Sequence, residues 1–170
     1  MFPGSAAGRG KHRRRGFTLV EMMVVVGVIA ILALLALPSY IDKIVRDQVI
    51  EALPLADVAK PRVALSWATA QSLPSDNAAA GLPVADKIVG NLVSSVAVEA
   101  GAIHVTFGNR ANGLINGKVL TLRPAIVEDE PIVPVAWVCG YAPVPGNMTA
   151  KGTNRTNIPP KYLPLKCRAG

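Results

Sequence analysis

Gly16-Phe17-Thr18-Leu19-Val20-Glu21, followed by Met22–Ile41, is the stretch around which this chain is organised. Met22 to Ile41 is twenty residues without a charge. A helix of that length rises about 30 Å, the hydrocarbon thickness of a bilayer. Upstream stand Arg9, Lys11, Arg13, Arg14 and Arg15, and the first sixteen residues hold no acid. A flank of that kind orients the helix with its amino end in the cytoplasm. Glu21 breaks the logic of a plain anchor, because a carboxylate at the start of an apolar span is costly unless it is paired.

The position of cleavage accounts for Glu21. A secretory signal is cut after its apolar segment, at a small-x-small site. Here no Ala-x-Ala follows the segment, and Pro38-Ser39-Tyr40 leads directly into an amphipathic stretch. A small residue instead precedes the segment, at Gly16. A cut between Gly16 and Phe17 discards the basic leader, residues 1–16, and keeps the apolar helix. It also creates an amine at Phe17, one helical turn from Glu21.

The basic leader, Gly16, Phe17-Thr18-Leu19-Val20-Glu21 and the uncharged span together resemble a type IV prepilin. The resemblance implies cleavage after Gly16 by a prepilin peptidase and N-methylation of Phe17. It implies that Glu21 pairs with the Phe17 amine of a neighbouring subunit during assembly. The partners it implies are other copies of the chain in a helical homopolymer, the assembly machinery, and the bacterial inner membrane before assembly. The finished filament would lie on the cell surface and serve adhesion, twitching motility or DNA uptake.

The formal charge of +7 belongs largely to the leader, which holds five of the eighteen basic residues and none of the eleven acids, leaving +2 for residues 17–170. A pI near 9.8 suggests nucleic acid or anionic membrane as partner, but most of that signal leaves with the leader. The two cysteines, Cys139 and Cys167, lie across the membrane if the amino end is cytoplasmic, in a compartment that favours a disulfide. Two free buried thiols are the alternative. Trp137-Val138-Cys139-Gly140 and Tyr162-Leu163-Pro164-Leu165-Lys166-Cys167 are similar to the segments around the carboxy-terminal disulfide of major pilins.

These features predict an α+β fold. A helix over residues 17–70 has a membrane or filament-core part, 17–41, and an amphipathic part, 42–70. In the second part Ile41, Ile44, Val45, Val49 and Ala52 recur at helical spacing, with Asp42, Lys43, Arg46, Asp47 and Glu51 between them. Pro38 predicts a kink or local unwinding. Pro54 and Pro61 predict two further kinks or a break near Leu53, a departure from the family, whose helices usually run on to about Thr69. Residues 71–91 read as a connecting loop. Residues 92–139 read as four antiparallel strands, Leu92–Val98, Ala102–Phe107, Lys118–Arg123 and Val135–Cys139, covering one side of the helix. Residues 139–170, rich in proline and glycine, read as a disulfide-closed loop that buries little.

Little in the chain points to catalysis. Ser39, Ser66, His104 and the acids have no triad spacing, and His104 falls in a predicted strand as a satisfied sheet residue. No glycine-rich phosphate loop precedes a helix. Glu128-Asp129-Glu130 reads as a solvated turn rather than a metal site, and no metal or cofactor is expected. Lys151, Arg155, Lys161 and Lys166 give the disulfide loop four cations and no acid, a candidate surface for DNA or acidic glycans, although a solvated basic face explains them as well. The leading reading is a filament subunit. A type II secretion pseudopilin, working as a short periplasmic piston, is the alternative; those proteins usually lack a bridge like Cys139–Cys167.

Overall fold

The structure, a computed structural model, describes residues 16–170. Apart from Gly16, the expected leader lies outside the described residues. Contacts divide the chain after Pro38 into two units, which are described separately.

The first unit is the beginning of helix α1, Leu19–Ala56. Thr18 caps it: its Oγ1 accepts the Glu21 N–H at 3.2 Å. Thr18-Leu19-Val20-Glu21 has the spacing of a capping box, which places the one carboxylate of the segment in the first turn, where the helix dipole favours it. Every residue from Gly16 to Leu37 is exposed. A helix that is apolar on all sides belongs in a bilayer or a protein core, not in water.

The second unit, Ser39–Gly170, holds the core. From Ser39 onward α1 buries Val45, Val49, Ala52, Leu53 and Ala56, a stripe at helical spacing. The helix does not run on to Ala70. It ends at Ala56, and helix α2, Lys60–Ala70, follows. Between them the N–H groups of Asp57, Val58 and Ala59 bond three residues back, to Pro54, Leu55 and Ala56. Pro54 lies in the last turn of α1, and Pro61 is in the first turn of α2, where no N–H is needed. Buried Ala59, Val63 and Trp67 continue the stripe past the break.

The sheet is antiparallel, in the order β1 (Val93–Glu99), β2 (Ala102–Phe107), β3 (Val119–Ile126) and β4 (Ala136–Cys139). A fifth strand, β5 (Thr149–Ala150), corrects the expected count of four by pairing with Ala125 and Ile126 of β3. Strand β3 runs three residues past its expected end at Arg123 because Pro124 does no harm there. The Pro124 carbonyl accepts the Lys151 N–H at 2.9 Å, so its missing donor faces the β5 side, beyond Leu122, where the pairing of β3 with β2 ends at Ile103. On the free edge of β1, buried Asn77 accepts the Val98 N–H and donates to the Val96 and Pro83 carbonyls. The loop 71–91 thereby covers an edge that would otherwise be open to pairing.

The core joins the α1 stripe to Val96, Ile103, Val105, Phe107 and Leu120 of the sheet. It also includes Ile158, Tyr162 and Leu163. The segment after Cys139 therefore buries a substantial apolar set, contrary to the expectation from its prolines. Proline removes donors and regular structure from a segment without removing its apolar side chains.

Candidate assembly surface and carboxy-terminal face

Two regions carry the residues singled out in the sequence. The first is the amino end of α1. Gly16 and Phe17 precede the helix, and Phe17 is exposed. Glu21 is exposed in the first helical turn, followed by the uncharged run. Pro38 lies within α1. Exposed apolar residues on this scale mark a surface that is covered in use, by lipid or by other protein.

The second is the carboxy-terminal face. Cys139 and Cys167 are joined in a disulfide and buried. Around the bridge the Tyr141 N–H donates to the Cys167 carbonyl at 3.0 Å and the Gly140 N–H to the Thr121 carbonyl at 2.8 Å. Gly140 has φ +56°, and a Cβ there would lie 2.8 Å from the Cys167 carbonyl oxygen, so only glycine suits the position. Arg46 of α1 donates to the Lys161 carbonyl at 2.9 Å, tying the end of the chain to the helix.

Three of the four candidate cations are engaged with acids from other parts of the fold. Lys151 Nζ lies 2.6 Å from Glu128, Arg155 Nη2 2.6 Å from Glu99, and Lys161 Nζ 3.3 Å from Asp42. The hydrogen bond from Lys151 holds the Glu128 carboxyl below its usual range. Lys166 has no ion pair among the described residues and lines a cleft of about 340 Å³ with Asp57, Lys60 and Trp137. The four do not act as one free basic group. The ion-pair partners lie 23, 56 and 119 residues away, so composition within the loop gave no sign of them.

The apolar helix with its lone first-turn acid, followed by a helix-on-sheet domain with a carboxy-terminal disulfide, is the arrangement that the resemblance to type IV prepilins implies. Residues 45–168 match the family described as Pilin (bacterial filament), and residues 11–37 match the prokaryotic N-terminal methylation motif. The chain belongs to the pilin family. It is 37% identical over 162 residues to the type IV major pilin protein PilE of Neisseria gonorrhoeae, covering 91% of this chain and 94% of that protein. It is 36% identical over 165 residues to a fimbrial protein of Neisseria meningitidis, with the same coverage. It is 33% identical over 163 residues to the fimbrial protein EcpC of Eikenella corrodens, covering 93% of each. The chain is a structural subunit of a pilus and not an enzyme.

Proposed function

We propose that the chain is made as a precursor, cut by a prepilin peptidase between Gly16 and Phe17, and N-methylated at Phe17. Residues 17–41 hold it in the bacterial inner membrane until the pilus assembly machinery adds it to a filament on the cell surface. In the filament Glu21 of one subunit pairs with the Phe17 amine of its neighbour, and the apolar helices lie together in the core. Pro38 lets the helix loosen as it passes from lipid to protein. The filament serves adhesion, twitching motility or DNA uptake. Contacts with acidic surfaces or DNA, where they occur, fall to Lys166 and to cations released from their ion pairs.

The observation that carries this reading is Glu21, the single charge between Leu19 and Ile41 in the exposed, otherwise apolar first part of α1. Neither lipid nor a protein core accepts that carboxylate alone. An amine at Phe17, close by in sequence but on another subunit, supplies the partner and fixes the register, since a displaced subunit leaves the charge unpaired.

Electron microscopy of cells lacking the chain tests the role. Long surface filaments disappear if it builds the pilus. Unchanged filaments together with blocked protein secretion would contradict the proposal in favour of a pseudopilin.

A further inference from the structure

One buried titratable group has no role in the assembly proposed above. His104 lies in β2, and its side chain is 5% exposed. Its Nδ1 is 2.9 Å from Thr121 Oγ1 on β3. Thr121 is fully buried, and its Oγ1 already accepts the Arg155 N–H at 3.0 Å. The Thr121 hydroxyl proton is therefore available to His104 Nδ1, which makes Nδ1 the acceptor and puts the ring proton of neutral His104 on Nε2. Nε2 is buried, has no hydrogen-bond partner among the described residues, and lies 3.9 Å from Glu99 Oε2. Glu99, at the end of β1, is held instead by the Arg155 guanidinium at 2.6 Å. The Arg155 segment is fixed a third time, where Thr156 Oγ1 accepts the Thr121 N–H at 3.0 Å.

We infer that His104 is the proton-operated release of a latch that holds Arg155 and Thr156, within the disulfide loop, against the sheet. A proton on Nδ1 turns that nitrogen into a donor. Thr121 Oγ1 must then accept from both His104 and the Arg155 N–H, and its own buried hydroxyl proton loses its acceptor. The imidazolium also competes with Arg155 for Glu99 and repels the guanidinium. Each change loosens the Arg155 end of the segment. Among the described residues, Glu99 and Arg155 are the charged groups that face the ring; β3 presents Thr121, which carries none.

The sign follows from the same contacts. Burial, chiefly, and Arg155 next hold His104 below its ordinary value of 6.5, while Glu99 opposes them. A lowered folded value means that the unfolded chain takes up the proton first. The stabilising contribution of neutral His104 is therefore complete above about pH 6.5 and is lost as pH falls toward the folded value.

The test uses the full-length protein in detergent micelles. NMR follows the His104 ring proton through acid, and amide exchange, corrected for the intrinsic effect of pH, reports the Arg155 N–H. Exchange at Arg155 is expected to accelerate about tenfold or more across the His104 titration and to stay flat in His104→Asn, whose side-chain oxygen still accepts from Thr121. Arg155→Gln should raise the His104 midpoint and Glu99→Gln should lower it, which keeps the question decidable if His104→Asn does not fold. An acid response at Arg155 that persists in His104→Asn would overturn the latch. So would a His104 titration that leaves Arg155 protected, or two charge variants whose midpoints move in the same direction.

Discussion

Glu21→Ala is expected to leave the chain in the membrane, with its leader removed, and to abolish filaments. Removing the carboxylate lowers the cost of holding the helix in lipid, so membrane insertion is kept or improved. Gly16 and Phe17 are untouched, so processing continues. The loss falls on assembly, where each added subunit would bury an amine at Phe17 without its partner. Breaking one side of a buried ion pair costs about 3–5 kcal/mol, roughly a hundred- to several-thousand-fold at each addition step. Multiplied along a polymer, that leaves no long filaments. Glu21→Asp should fall between the two, because the charge remains but its reach is shorter by one methylene. Electron microscopy together with membrane fractionation reads both effects, and normal filaments in Glu21→Ala would contradict the assigned role.

Cys139→Ala with Cys167→Ala is expected to have the largest effect on the folded domain. The bridge closes a separation of 28 residues, for which the chain-entropy account gives about 3.5 kcal/mol. A domain stable by about 5–15 kcal/mol loses a large share of its margin. The segment inside the bridge carries Ile158, Tyr162 and Leu163 into the core, so its release exposes apolar surface as well as backbone. The same bridge sets the Cys167 carbonyl against the Tyr141 N–H and against Gly140. Denaturant unfolding of the oxidised protein and of the double variant measures the difference. A change below about 1 kcal/mol, well under the chain-entropy figure, would contradict a structural role for the bridge.

Much of the fold was legible because it rests on periodicity. Val45, Val49 and Ala52 announce the buried face of α1, and alternation marks β1 and β2 to within a residue or two. The helix break was less legible. Proline gives the cost of continuing a helix but not whether the chain kinks or stops. That depends on Ala56, Ala59 and Val63, which share one core on both sides of the break. Strand β5 is two residues long, too short for any alternation to show. The end of β3 was missed because Pro124 counts against a strand unless the side its nitrogen faces is known. Asn77 lies in a run of polar loop residues, and nothing local distinguishes it as the group that covers the edge of β1.

The candidate sites divide in the same way. The amino-terminal motif is local, so spacing and resemblance alone are enough to propose Gly16, Phe17 and Glu21. The four cations of the disulfide loop were counted correctly, but their partners Glu128, Glu99 and Asp42 come from distant parts of the chain. The sheet brings His104, Thr121 and Glu99 together, the carboxy-terminal segment adds Arg155, and no spacing in the sequence signals that cluster.

The most direct test of the central claim is the mass of the mature amino terminus, taken from the protein in its native cell envelope or filament. Cleavage after Gly16 followed by methylation gives a chain that begins at N-methylated Phe17. An intact leader, or a chain cut after Tyr40, would contradict the account, because Glu21 would then have no amine to meet.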